Sequence, residues 1–283
     1  MDEDTFLTQL QREAVAFTEA VGTEKGDWIV KGFIDVYKRI YTISVDTKVV
    51  SKILELLLFP KLAQYADRNG YQLVLAPEQN FYPDISFVSK STKMKYALDI
   101  KSTYRTDTTT VNGMTLGAFT GYFRNRASRK NIVFPYSEYN GHFVLGVIYS
   151  KSEAAIEESE SYGLEDLEKI SSVIRDFEFF VQPKYRIASA RPGSGNTKNI
   201  GSVTQIDQLV NGRGPFSVLG EDVYDDYWMY YLTKDMARAV DMERPYWNLK
   251  TYVEYKQRGA NLDLDKIERL DQIDIGTEAE DAE

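Results

Sequence analysis

The sequence predicts an α/β fold. An amphipathic segment at residues 4–21 and a long apolar segment at residues 47–70 both have the spacing of helices. Short runs rich in Ile, Val, Phe and Tyr, typical of strands, recur between and after them. The 283 residues are enough for one large domain with a buried core, and 43% hydrophobic with 27% charged residues is ordinary for a globular protein in water.

Two helices are predicted in the first quarter of the chain. The first, over residues 4–21, rests on helical spacing of Phe6, Leu7, Leu10, Ala14 and Phe17. The second follows Asp46, a residue type preferred at helix N-caps, and is expected to end at Gly70. Pro60 is expected to kink this helix or to start a second segment.

The remaining chain predicts a series of strands and then helices. Strands or extended segments are predicted at residues 25–44, 71–75, 85–88, 96–100, 132–134, 142–149, 177–181 and 185–189. Helices are predicted within 151–175, as solvated surface, and at 206–209 and 223–239, and a short one at 264–273. The aromatic residues of 223–239 are assigned to core or subunit packing rather than to base stacking.

Composition limits the chemistry. The chain has no cysteine and a single histidine, His142, which excludes disulfides, a thiolate nucleophile and zinc sites built from Cys or His clusters. His142 lies in an apolar run and is interpreted as a packed strand residue. Any metal is therefore expected to be held by oxygen ligands, which favours magnesium or a similar ion.

Charge and targeting signals say less. Of the net charge of −9, −7 comes from residues 259–283, which hold nine acidic and two basic residues, so the overall sign does not exclude a polyanionic partner. The N-terminus does not have the pattern of a signal peptide, and no apolar run approaches the ~20 residues that a membrane span needs. A cytoplasmic protein without membrane association is expected.

The most informative stretch lies at residues 82–104. Asp99 and Lys101 are two positions apart in a predicted strand, so they share one face while Leu98 and Ile100 point to the other. Asp84 precedes the neighbouring strand of the same hairpin. Two carboxylates and an ammonium group suit a magnesium ion and a phosphate. The alternative is a structural hairpin that merely carries ion-paired side chains.

Three other features leave two interpretations each. Glu55 lies inside an apolar helical run, where it either pairs with Lys52 three residues earlier or points into an active site. The basic residues within 116–131 form either a solvated run or a stripe that contacts phosphates. The Gly- and Asn-rich loop at 191–199 is either a flexible surface loop or a reader of base edges in the DNA major groove.

Motif spacing then indicates a family. Pro83-Asp84, fourteen intervening residues and Asp99-Ile100-Lys101 match the PD…(D/E)XK nuclease signature. Further runs recur in the same order in a type II restriction endonuclease of that superfamily, and they are Ser44–Val49, Gln79–Asp84, Thr115–Gly117, Lys130–Val133 and Gly193–Ser202. The chain resembles these enzymes from about residue 40 to about 235, and more weakly to about 258.

This resemblance implies a fold, an activity and partners. It implies a restriction-endonuclease-like core, with a mixed central β-sheet flanked by helices, over residues 1–258, followed by an acidic tail at 259–283. It also implies a homodimer that uses Mg²⁺ to cut both strands of double-stranded DNA at a short palindrome, GATATC or a relative, leaving 5′-phosphates. A cognate DNA methyltransferase is implied as well, since the enzyme would otherwise cut its host's DNA.

The resemblance also implies residue roles. Asp84 and Asp99 correspond to metal-binding carboxylates, Lys101 to the catalytic lysine, and Glu55 to an acidic residue near the metal. The residues implied to contact DNA are Gly193, Ser194, Gly195, Asn196, Thr197, Lys198 and Asn199 in a recognition loop near 191–202, Gln79 and Asn80 on the minor-groove side, and Thr47, Lys48, Thr103 and Thr115 near the phosphate backbone.

Departures from the family pattern affect recognition rather than catalysis. Phe81, Lys198 and Arg191-Pro192 differ from it, so the exact target sequence stays open. Two alternative functions are a repair or junction-cutting nuclease of the same superfamily, which would lack sequence preference, and a DNA-binding protein without catalysis.

Overall fold

The computed structural model describes residues 3–78, 80–152, 161–193 and 198–259, apart from the side chain of residue 15. In these ranges the helices are α1 Glu3–Val21, α2 Thr47–Arg68, α3 Lys184–Ile187, α4 Ile206–Asn211, α5 Phe216–Leu219, α6 Glu221–Tyr230, α7 Lys234–Ala239 and α8 Leu249–Gln257. The strands are β1 Gly32–Ile34, β2 Ile40–Thr42, β3 Tyr71–Leu75, β4 Ile85–Ser89, β5 Lys95–Tyr104, β6 Thr115–Ala118, β7 His142–Lys151, β8 Ser161–Tyr162, β9 Ile174–Pro183, β10 Ala188–Pro192 and β11 Asn199–Ser202.

The largest sheet has five strands in the order β3-β4-β5-β7-β9. Neighbours pair antiparallel except β5 and β7, which run parallel, so the sheet is mixed. Two smaller three-stranded sheets accompany it, with the orders β1-β2-β8 and β10-β11-β6. The α/β fold with a mixed central sheet flanked by helices is confirmed.

Each face of the central sheet has its own hydrophobic core. One core packs α1 and α2 against the sheet, and Leu98 and Tyr96 of β5 belong to it. The opposite core joins Ala97 of β5 to residues of α4–α6 and α8. Because side chains alternate along a strand, Asp99 and Lys101 share the second face with Ala97. Close packing continues at β7, where a Cβ added to Gly146 would lie 2.0 Å from the ring of Phe180 on β9.

Helix α2 begins and ends as its sequence predicts. The Asp46 side chain accepts hydrogen bonds from the backbone N–H groups of Lys48 and Val49 at its first turn. The helix stops at Arg68, and Gly70 follows with a φ of 73°, a conformation that glycine adopts at little cost. It runs unbroken through Pro60, so the prediction of a second segment there is wrong.

Several boundary predictions are wrong, and tertiary contacts explain them. Residues 132–134 form only an isolated bridge from Ile132 to Tyr82 instead of a strand. Residues 184–187 form a helical turn after the strand that ends at Pro183. The helix predicted over 223–239 is divided, since Tyr231 is extended and Thr233 caps α7. The helix predicted within 151–175 can be compared only in part, because residues 153–160 lie outside the described residues; the part after them holds β8 and a 3₁₀ helix at Leu164–Lys169.

The other elements follow expectation where they can be compared. The hairpin at 25–44 is present as β1 and β2, although Trp28 to Val30 is not a strand. The strands at 71–75, 85–88, 96–100, 142–149 and 177–181 are confirmed, as are the helices at 4–21 and 206–209. The helix predicted at 264–273 and the rest of the acidic tail lie outside the described residues. No described helix is both long and apolar enough to cross a membrane.

Candidate active site

The register of the β4–β5 hairpin sets the geometry of the site. Ile85 pairs with Leu98, and Ser86 with Ala97, so the next position outward opposes Asp84 to Asp99. Residues directly opposite in an antiparallel pair project from the same face, which brings the two carboxylates together. The regular backbone pairing of β4 and β5 ends at this point, and the two carboxylates accept hydrogen bonds from backbone N–H groups beyond it.

Both carboxylates bond to the backbone of the opposing strand. Asp84 Oδ2 accepts a hydrogen bond of 2.8 Å from the Ile100 N–H, and Asp99 Oδ1 accepts one of 3.3 Å from the Asp84 N–H. Asp99 is only 4% exposed. The hydrogen bonds fix the carboxylates in position while each keeps a free edge for another ligand.

Lys101 completes the cluster from the same face of β5. Its Nζ lies 3.4 Å from Asp99 Oδ2 and 3.9 Å from Asp84 Oδ2. Burial disfavours the ammonium, but the charges of Asp99 and Asp84 outweigh this effect and raise the pKa of Lys101. The lysine is therefore a cation at neutral pH, able to donate hydrogen bonds but not to accept a proton.

The environment of Asp84 disfavours its charge. Burial raises its pKa to about 6, Lys101 opposes this shift, and Asp99 adds to it. Because burial is the main cause, an additional cation next to the carboxylates would stabilise their charged form.

Glu55 lies beside the cluster rather than in it. It sits on α2, is 38% exposed and pairs with Lys52 at 2.7 Å, as the local interpretation predicted. Its charge nevertheless acts on both Asp84 and Lys101. The hydroxyls of Ser51 and Ser102, 2.7 Å apart, hold this part of α2 against β5 next to Lys101. Both interpretations of Glu55 thus have a structural basis.

A cavity of about 480 Å³ opens over the cluster. Asp84, Asp99 and Lys101 line it on one side. The residues that line the rest are Asn80, Phe81, Tyr82, Gly117, Ala118, Thr120, Gly121, Tyr122, Ser128, Lys130, Asn131 and Asn199. Asn80 and Asn199, both predicted to contact DNA, therefore border the same space as the carboxylates.

An aromatic wall supports one side of the cavity. The Tyr82 hydroxyl and His142 Nδ1 are 2.8 Å apart, and the histidine ring stacks on Tyr136 with centroids 3.9 Å apart. Burial, followed by the charges of Lys184 and Arg126, lowers the pKa of His142 far below its usual value. His142 is thus a neutral, packed strand residue, as predicted.

The basic residues of 116–131 make different kinds of contact. Arg126 pairs with Asp225 at 2.9 Å and stacks over the rings of Phe123 and Tyr136, while Arg124 donates to the Tyr231 carbonyl. These two arginines therefore make contacts within the protein that stabilise its fold. Lys130 lines the cavity, and Arg129 is exposed at 4.0 Å from Glu138, so phosphate contact by these two residues stays a prediction.

The base of the predicted recognition loop lies next to the cavity. The Gly193 N–H donates to the Asn199 carbonyl at 2.8 Å, and the Phe119 N–H donates to the Lys198 carbonyl at 3.0 Å. Thr115 is adjacent, since its methyl carbon lies 2.7 Å from where a Cβ of Gly193 would be. The predicted contact residues Gln79, Ser194, Gly195, Asn196 and Thr197 lie outside the described residues.

The residues predicted near the phosphate backbone are divided. Thr47 and Lys48 are exposed in the first turn of α2, and Thr115 is exposed at the start of β6. Thr103 is buried, and its hydroxyl donates to the Asn112 carbonyl. Thr103 therefore links β5 to the following loop, and its predicted contact or coupling to the phosphate backbone stays a prediction.

Sequence reasoning missed the residues behind the cluster. Tyr82, Tyr122 and Lys184 come from three distant segments, and no local pattern marks them as partners of Asp99. The one available signal was the position of Tyr82, two residues before Asp84.

The fold and the site together define a class. A mixed sheet that presents two carboxylates and a lysine from adjacent strands, beside an open cavity, is the arrangement of a PD-(D/E)XK nuclease. The family model described as restriction endonuclease EcoRV matches residues 24–257. The Type II restriction enzyme EcoRV of Escherichia coli is 33% identical over 242 residues, covering 85% of this chain and 96% of the relative. The chain belongs to the EcoRV restriction endonuclease family.

Replacement of Asp84 by Asn is expected to stabilise the fold at pH 7 by about 2 kcal/mol. The pKa of Asp84 is about 6 in the folded protein, above its ordinary value of 3.8. As the pH rises between these two values, the carboxyl ionises more readily in the unfolded chain, so the free energy of unfolding falls. The gain should vanish near pH 4, where the native carboxyl is protonated. Urea unfolding at both pH values measures it.

Asp107→Asn is the matched control, with the opposite sign. Hydrogen bonds from Thr110 and Thr109 lower the pKa of Asp107 to about 2, so loss of its charge should destabilise the fold at pH 7. Equal effects of the two substitutions on the free energy of unfolding, or a gain for Asp84→Asn that persists at pH 4, would contradict the raised pKa of Asp84.

Proposed function

We propose that this chain is a type II restriction endonuclease that cuts both strands of a short palindrome in duplex DNA, GATATC or a relative, and leaves 5′-phosphates. The observation that carries the proposal is the facing pair of Asp84 and Asp99 with Lys101, in a cavity bordered by Asn199 at the base of the recognition loop. Family membership supports the activity.

The donor set fits Mg²⁺. The ion is commonly bound through one or two carboxylates, with substrate phosphate oxygens and water filling its other positions. Within the described ranges, no cluster of three or more His or acidic side chains converges, which suits an ion completed by DNA rather than a closed protein cage. Asp84 and Asp99 would hold it, with Glu55 close by. When bound, it supplies Lewis-acid stabilisation of the phosphate and lowers the pKa of water.

The chain's own groups then act on the phosphodiester. Lys101 keeps its proton and points its Nζ at the carboxylate pair, where its N–H groups donate to a non-bridging phosphate oxygen or orient the attacking water. Lys130 on the other side of the cavity adds positive charge for the DNA strand. The aromatic wall at Tyr82 and Tyr122 excludes water from one side.

Specificity is assigned to the loop near residues 191–202. Its glycines allow close backbone approach to base edges, and Asn196 and Thr197 offer paired donors and acceptors. Deformation of the DNA adds discrimination at positions without base contacts. A cognate DNA methyltransferase that protects the host site belongs to this proposal.

An exposed apolar surface supports a homodimer. Apolar side chains project from the β1-β2-β8 sheet and its turns, with Val36 90% and Tyr37 79% exposed. Their neighbours Phe33, Ile34, Tyr41, Leu164 and Leu167 are also exposed. A patch of this kind on a globular chain is typical of a protein interface, and a second copy would give each strand of a palindrome its own site.

Asp84→Ala and Lys101→Ala are expected to lower the cleavage rate by roughly a hundredfold or more, since each removes a group that acts on the reacting phosphate. Plasmid cleavage with Mg²⁺ or EDTA, followed by run-off sequencing of the ends, measures rate, metal dependence and target together. Lys90→Ala removes a surface ion pair with Asp67 and serves as control. Undiminished cutting by either variant, or cuts without sequence preference, would refute the site or the restriction function.

Asn196→Ala is expected to weaken discrimination by about 1–3 kcal/mol, the usual value of one bidentate base contact. Cleavage of the cognate site should fall while binding to non-cognate DNA at low salt stays unchanged. Gel-shift titrations on both DNAs measure the ratio. Arg213→Ala, which removes a surface pair with Asp207, is the control. An unchanged ratio would remove Asn196 from the recognition surface.

Val36→Glu combined with Tyr37→Glu is expected to shift the protein from dimer to monomer at micromolar concentration, because two buried charges would be left without partners. Sedimentation velocity measures the mass. Tyr230→Glu, at an exposed aromatic residue on α6, is the control. A wild-type monomer, or a dimer unaffected by the double substitution, would contradict this interface.

A further inference from the structure

A second lysine lies directly behind the active-site cavity. Lys184 begins α3, is 2% exposed, and its Nζ lies 4.1 Å from the centroid of the Tyr82 ring. A Cβ added to Gly117 would lie 3.5 Å from the same Nζ and 3.4 Å from the Tyr122 hydroxyl. Tyr82, Tyr122 and Gly117 all line the cavity, so only this wall separates the ammonium from the carboxylates.

The ammonium has no close anionic partner. Among residues 3–78, 80–152, 161–193 and 198–259, the structure shows no side chain in a hydrogen bond or an ion pair within 4 Å of the Lys184 Nζ. Buried lysines are rare unless paired, and an unpaired buried charge costs stability. Its strongest attraction is to Asp99. Lys184 is a buried charge that costs stability and lies close to Asp99, which indicates a role beyond packing.

The charge balance suggests the role. Asp84, Asp99, Lys101 and the nearby Glu55 together carry −2, and Lys184 reduces this to −1. A less negative set attracts a divalent cation more weakly, and the negative charge of a DNA phosphate in the cavity would restore the attraction.

We propose that Lys184 is a positioning residue, a fixed counter-charge behind Asp99 that limits the affinity of the Asp84–Asp99 pair for divalent cations in the absence of DNA. The inference rests on the proposed function, because it takes these carboxylates as the cation site. Its cation–π contact also holds Tyr82 against the cavity.

The charge of Lys184 can be varied by pH as well as by mutation. Burial lowers its pKa to about 8, with Asp99 opposing this shift. The titratable and charged groups that face it are Asp99 and Lys101 on β5, Asp225 on α6, Arg126, and the neutral Tyr82, Tyr122 and His142. The wild-type protein therefore loses this counter-charge between pH 7 and pH 9.

The test is calorimetric titration of the DNA-free protein with Mg²⁺ at pH 7 and pH 9. Lys184→Met, which keeps the volume without the charge, is expected to bind Mg²⁺ roughly three- to tenfold more tightly than wild type at pH 7. At pH 9 the two should differ less than about twofold, because wild-type Lys184 is then mostly neutral. Lys151→Met removes a lysine that also sits over a tyrosine ring, at 3.5 Å from Tyr104, and should bind as wild type.

The outcomes separate the two proposals. Equal or weaker Mg²⁺ binding by Lys184→Met at pH 7, or a ratio unchanged at pH 9, would overturn the role of Lys184 alone. If Lys184→Met does not fold, titration of the wild-type protein alone tests the role of Lys184, because its Mg²⁺ affinity must then rise at least about threefold from pH 7 to pH 9. If Asp84→Ala binds Mg²⁺ as wild type does, the cation site itself is wrong, and both proposals fail.

Discussion

Two carboxylates face each other where the β4–β5 ladder ends, and the surrounding structure offsets their repulsion. Opposed like charges destabilise a strand pair, so the regular hydrogen bonds of the ladder would not suffice at this point. The backbone N–H groups of Ile100 and Asp84 donate to the carboxylates instead, and Lys101 supplies an opposite charge from the same face. Burial still raises the pKa of Asp84, since the attraction of Lys101 offsets this effect only in part. The two carboxylates and the lysine together keep a net negative charge, which a bound cation would neutralise.

The packing of β5 behind the hairpin holds Asp84, Asp99 and Lys101 in place. β5 is central in its sheet, paired along its length with β7, and buried between two hydrophobic cores. On the α1 side, Phe6 stacks on Tyr96 with centroids 4.4 Å apart. On the cavity side, the contact between Tyr82 and His142 fixes the turn that carries Asp84. The hydrophobic packing on both faces of β5 thus offsets the cost of placing these largely buried charges at the end of the ladder.

Local patterns in the sequence predicted most strands of the central sheet and the cluster of Asp84, Asp99 and Lys101, because both depend on short-range rules. Alternation in β5 fixes the common face of Asp99 and Lys101, and hairpin pairing brings Asp84 opposite. The position of Lys184 depends on three strands and a helical turn that meet only in the folded chain, so no spacing along the sequence encodes it. The same holds for Arg126, whose partner Asp225 is 99 residues away. Short extended runs such as 132–134 were overpredicted because tertiary contacts, not propensity, decide whether they join a sheet.

Strand β6 lies between the base of the proposed recognition loop and the cavity over the carboxylates. One edge of β6 pairs with β11, and the Phe119 N–H just after β6 holds the Lys198 carbonyl at the base of the recognition loop. Gly117 and Ala118 of the same strand line the cavity opposite the carboxylates. β6 is the edge strand of the three-stranded sheet β10-β11-β6, so β11 is its pairing partner there. The base of the proposed recognition loop and the wall that faces Asp84 and Asp99 are therefore built from the same short strand and its neighbour, although β11 lies far from the carboxylates in sequence.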